Sequence, residues 1–79
     1  MAELSLAETM PIAYRRVLDA VGRLEQLGGR QEAARIRATA IRVYSGPWSA
    51  STCRQLEEMA TRAEAAVGDC ERSARPRVA

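Results

Sequence analysis

The chain contains no histidine, no lysine and no phenylalanine among its 79 residues. Without histidine, the most common general base and metal ligand is missing, and without lysine a second common catalytic group is missing. No glycine-rich phosphate loop is present. Glu57 and Glu58 are adjacent, so their carboxylates would diverge on a helix. We therefore predict that the protein is not an enzyme and uses no cofactor, metal ion or small-molecule substrate.

Cysteine and long apolar runs are also scarce. Cys53 and Cys70 are the only cysteines, and on one helix they would lie about 25 Å apart at 1.5 Å rise per residue. A disulfide needs Cα atoms within roughly 7 Å, so both are expected to be free thiols. The first six residues lack the basic and apolar regions of a signal peptide, and no apolar run could span a bilayer. We therefore expect a cytoplasmic protein with no membrane partner.

Large apolar side chains are few, and alanine is abundant. A domain of this size gains only roughly 3–5 kcal/mol of net stability from a single core. A buried alanine contributes much less than the roughly 1.5–3 kcal/mol of a fully buried leucine or valine. The core is therefore predicted to be thin, and to need a second copy of the chain or a partner to complete it.

Two interruptions, Gly28–Gly29 and residues 45–49, divide the chain into three stretches with apolar residues at helical spacing. We predict an all-α domain, a small three-helix bundle, spanning 9–71. Pro11 is tolerated in the first turn of a helix, so the first helix is placed at 9–27. Ser5 and Glu8 also have the spacing of a capping box, which allows a short preceding turn of helix. The second is placed at 30–44. Ser49 is an expected N-cap for the third, at 49–71. Residues 1–8 form a short N-terminal segment in this prediction, and 72–79 a disordered basic tail.

The second and third helices carry opposite charges. Residues 30–44 contain four arginines and one glutamate, a net charge of +3, whereas 49–71 contain five acidic residues and two arginines, a net charge of −3. This asymmetry predicts that the two helices attract each other as antiparallel neighbours. Arg35 and Arg42 fall together on the far side of the second helix, where they would form a polar stripe.

The third helix has a heptad seam whose central positions are small. The seam includes Leu56, Ala60, Ala63 and Val67, and small side chains allow another helix to approach closely. Trp48 in the preceding loop is expected to cap the bundle by packing onto Cys53, or to serve as an aromatic anchor for a partner. We therefore predict a non-catalytic protein–protein interaction module that is homodimeric or completed by a partner helix, with Arg35 and Arg42 as a secondary surface.

An alternative function rests on residues 40–56. In this stretch Ser49, Ser51, Thr52, Arg54 and Leu56 resemble the start of the recognition helix in helix-turn-helix proteins. The resemblance implies a small DNA-binding regulator that uses Arg42, Ser51, Thr52, Arg54 and the basic tail. The connection between the helices is about two residues longer than the usual turn, and Glu57 and Glu58 would repel phosphate. The sequence therefore favours a protein partner over a nucleic acid.

Overall fold

Three helices make up the computed structural model, which describes residues 5–74. They are α1 (Leu6–Gln26), α2 (Arg30–Ser45) and α3 (Ala50–Ala74). The described part of the chain contains no strand. The predicted all-α, three-helix fold class is therefore confirmed, and the bounds of α2 agree with the prediction to within one residue.

Helix α1 begins earlier than predicted. Ser5 is its N-cap, and the Ser5 backbone N–H donates to the Glu8 carboxylate at 3.3 Å, which is one half of a capping box. Pro11 lies inside the helix. It removes only the backbone bond to the carbonyl of Ala7, an exposed residue that water can reach. The predicted start at residue 9 was wrong because the cap at Ser5 outweighs this single lost bond.

A Schellman motif ends α1 at the predicted glycine pair. The Gly29 N–H donates to the Leu24 carbonyl at 2.8 Å, and the Gly28 N–H donates to the Glu25 carbonyl at 3.1 Å. Gly28 has a φ of +94°, a conformation that L side chains rarely adopt. The chain reverses within three residues and enters α2 directly.

A reciprocal cap starts α3. The Thr52 N–H donates to Ser49 Oγ at 3.2 Å, and the Ser49 N–H donates to Thr52 Oγ1 at 2.7 Å. Threonine therefore takes the place that glutamate usually has in a capping box. This geometry confirms Ser49 as the predicted N-cap.

Helix α3 extends to Ala74, three residues beyond the predicted end. Residues 72–74 of the predicted disordered tail are therefore helical. The remainder of that tail, 75–79, lies outside the described residues, as does the segment 1–4.

The two short connections produce an up–down–up bundle in which α1 and α3 run in the same direction. Arg16 pairs with Glu64 and Arg23 pairs with Glu71, so the residue numbers of both helices increase in the same direction along their interface. The core lies mainly between these two helices. Alanine supplies six of its twelve buried apolar side chains, and the largest fully buried ones are Met10, Val17, Val21, Leu24 and Leu56.

Candidate interaction surface

The predicted partner-binding seam of α3 lies inside the protein. Leu56, Ala60 and Ala63 are each 0 % exposed, and Val67 is partly buried against the same core. The seam packs on α1, whose buried residues Met10, Ala13, Val17, Ala20 and Leu24 also alternate at spacings of three and four. The assignment of Leu56, Ala60 and Ala63 to a surface for a partner was therefore wrong, because α1 already covers the seam.

Two ion pairs border this α1–α3 interface. Arg16 Nη2 lies 2.8 Å from Glu64 Oε1, and Arg23 Nη2 lies 3.0 Å from Glu71 Oε2. The hydrogen bonds that Arg16 donates to the Glu64 carboxylate, together with the negative charge of Glu64, raise the pKa of Arg16, with a smaller contribution from the charge of Glu57. These pairs correspond to the flanking g and e positions of a parallel coiled coil. The seven-residue spacing of the two arginines and of the two glutamates was the signal that the sequence interpretation missed.

The charges of α2 are used differently from the prediction. Arg37 pairs with Glu25 of α1, and the glutamates of α3 that form interhelical pairs bind arginines of α1. The two helices are antiparallel neighbours, as predicted. Within residues 5–74, however, no ion pair joins α2 to α3, so paired charges do not hold them together. The glutamates are already engaged by α1, which lies beside α3 in the parallel register.

Helix α2 buries only small side chains completely, and larger side chains such as Tyr44, which stacks on Tyr14 of α1, are partly buried. Its only fully buried residues are Ala33 and Ala40, whereas α1 buries Met10, Val17 and Leu24 among others. Ile36 and Val43 are only partly buried. Helix α2 therefore contributes fewer fully buried side chains than α1 or α3.

An open groove of about 240 Å³ lies between α2 and α3. Partly buried Ile36, Thr39 and Met59 contribute its less polar lining, and exposed Arg35 and Arg62 contribute positive charge, together with exposed Glu32. Neither Arg35 nor Arg62 belongs to an ion pair within the described chain. The predicted Arg35 stripe thus borders a concave surface, and Arg42, seven residues further along, is exposed on the same side of α2.

Trp48 lies at the end of the bundle beside two tyrosines. Its indole N–H donates to the Tyr44 carbonyl at 2.7 Å, and its ring centroid lies 5.1 Å from that of Tyr44. Tyr44 in turn stacks on Tyr14 of α1, with centroids 4.1 Å apart. The indole therefore packs onto α2, and this contact replaces the predicted staple onto Cys53 as the explanation of its position. Its exposure is 38 %.

The residues of the DNA-binding alternative do not form a single uniformly basic surface. Arg42, Ser51 and Arg54 are exposed, but the Thr52 hydroxyl is part of the α3 cap. Arg54 lies in a shallow depression with Arg16 and Arg62, and also with Glu57 and Glu58. This mixture of charges weakens attraction to a phosphate backbone.

Comparison of the chain with protein-family models, with curated proteins and with solved structures finds no match to any of them. None of the helices described is both long enough and apolar enough to cross a membrane. Within residues 5–74, no three cysteine, aspartate or glutamate side chains come together as a possible metal site. The surface of the bundle is therefore the basis for a functional proposal.

Proposed function

We propose that the protein is a non-catalytic helical interaction module whose bundle is completed by one further helix, from a second copy or from a partner. The single observation that carries the proposal is that no large side chain of α2 is fully buried. Only Ala33 and Ala40 of α2 are fully buried, and Ile36 and Met59 remain partly open in the groove. A helix that covered this groove would bury apolar surface that the single chain leaves in water.

Two further features support this proposal. Arg35 and Arg62 beside the groove have no ion-pair partner within the described chain and are free to bind acidic groups. Cys53 and Cys70 are free thiols, which agrees with a cytoplasmic location as part of the same proposal. The DNA-binding alternative receives less support, because Arg54 is grouped with two glutamates.

Sedimentation velocity over a dilution series, combined with urea unfolding, tests the proposal. We expect either reversible association or a monomer of marginal stability, with a free energy of unfolding of about 3 kcal/mol or less. The proposal would be contradicted by a chain that is monomeric at low micromolar concentration and unfolds cooperatively with a free energy of unfolding clearly above about 5 kcal/mol. Such a chain would need no further helix for its stability.

A further inference from the structure

We infer that the groove between α2 and α3 receives an amphipathic partner helix that carries carboxylates along the edges of its apolar face. This inference rests on the proposed function and deepens it, because it specifies the surface and the chemistry of the partner. Docking of this helix would convert the three-helix bundle into a four-helix bundle.

The shape of the groove suits a helix. Ile36 and Thr39 lie one turn apart on α2, and Met59 contributes an apolar side chain from α3. A docked helix inserts its ridge of apolar side chains into such a depression between two neighbouring helices. The contact would bury Ile36 and Met59, which are partly exposed in the single chain.

The charges beside the groove select the partner. Arg35 on α2 and Arg62 on α3 supply positive charge from both helices. A guanidinium group binds a carboxylate through two parallel hydrogen bonds, so both arginines can clamp acidic residues at the edges of a docked helix. Glu32 is the one acidic group in the lining, and it lies in the first turn of α2, where the helix dipole favours a negative charge.

The same charges disfavour a second copy that packs its own α2 into this groove. Two α2 helices packed face to face would bring the Arg35 and Arg42 side chains of both copies together. Helix α2 carries four arginines against one glutamate, so this contact would place like charges at close range, which is unfavourable. A carboxylate-bearing helix neutralises these groups, and it is therefore the occupant that the groove favours.

Fluorescence anisotropy with two designed peptides tests the inference on the full chain. Each fluorescein-labelled peptide has about 18 residues, which matches the length of α2 at 1.5 Å rise per residue. Both carry leucine at heptad positions a and d. One carries glutamate at e and g, and the other carries lysine there. We expect saturable binding of the glutamate peptide, weaker binding at high salt, and at least tenfold weaker binding of the lysine peptide.

Variants of the chain locate the binding site. The double variant Arg35→Glu/Arg62→Glu is expected to weaken binding of the glutamate peptide at least tenfold and to improve binding of the lysine peptide. Arg15→Glu places one such charge reversal, half the charge change of the double variant, on the exposed outer side of α1, and it should change the affinity less than threefold. Ile41→Ser is the apolar control, because Ile41 is 45 % exposed and lies about 140° around α2 from Ile36. Circular dichroism checks that each variant remains helical.

Three results would overturn the inference. These are equal binding of both peptides, no binding of the glutamate peptide, and loss of its binding in Ile41→Ser with retention in the double arginine variant. Sedimentation separates this failure from failure of the proposed function. If the peptides do not bind but the chain self-associates, the module proposal stands with a second copy as the occupant. If neither occurs and the monomer is highly stable, both proposals are wrong.

Discussion

At the residue scale, Gly28 and Gly22, which lie six residues apart, have opposite roles. Gly28 has a φ of +94° and is the turning point of the motif that ends α1. Gly22 lies within α1, where an added Cβ would meet no atom within 4 Å. Glycine is therefore needed at the first position and is only a source of unfolded-state entropy at the second.

We predict that substituting alanine at these two positions changes stability in opposite directions. Gly28→Ala forces a side chain into a strained backbone conformation and should lower the free energy of unfolding by about 1–2 kcal/mol. Gly22→Ala should raise it by about 0.5–1 kcal/mol, because alanine is the better helix former. Urea unfolding followed by circular dichroism measures both variants. Equal shifts of the same sign would contradict the assigned conformations.

At the element scale, the pairing of α1 with α3 determines which charges remain available. Arg16 and Arg23 engage Glu64 and Glu71 across the parallel interface. All four side chains are 42–51 % exposed, so water screens each pair strongly. The pairs therefore contribute more to the register of the two helices than to the free energy of the fold.

A double-mutant cycle on Arg16 and Glu64 tests this assignment. We expect Arg16→Ala and Glu64→Ala to show a coupling energy of about 0.2–1 kcal/mol, which decreases as salt is added. The matched cycle of Arg16 with Glu58 should give a smaller coupling, because Glu58 lines the same depression as Arg16 but forms no ion pair with it. A coupling for Arg16 and Glu58 as large as that for Arg16 and Glu64 would show that the parallel register is wrong.

Local signals allowed most element boundaries to be predicted from the sequence. The cap at Ser49 and the stop at Gly28 depend on neighbouring residues and are visible in any local pattern. The start of α1 was missed because Pro11 was given more weight than the cap at Ser5, although a proline near the start of a helix removes one bond to an exposed carbonyl. The start of α1 thus depends on a balance between two local effects, the N-cap at Ser5 and the backbone hydrogen bond lost at Pro11.

Long-range pairing could not be predicted in the same way. The net charges of the second and third helices suggested that they attract, but the geometry of the bundle places α1 beside the glutamates of α3. Leu56 and Ala60 were recognised as a helical seam, and only the tertiary fold shows that α1 covers it. The groove was missed because it is formed by Ile36 and Met59, which come from different helices and lie far apart in the sequence.

At the scale of the whole molecule, the bundle is unevenly filled. Helices α1 and α3 supply all of the largest buried side chains, whereas α2 supplies only two fully buried alanines. Because stability depends on buried apolar area, we expect α2 to be the first helix to open. The proposed docking of a fourth helix would strengthen the contact that holds α2 in place.

Residue-resolved hydrogen exchange under native conditions measures most directly whether α2 opens more easily than α1 and α3. We predict that amides in the middle of α2 open with a free energy at least about 1 kcal/mol below that of central α1 and α3 amides. Addition of the glutamate-bearing peptide should raise the protection of α2. If the α2 amides in the free chain are as well protected as those of α1 and α3, the bundle is already complete and the account of an unfilled side is contradicted.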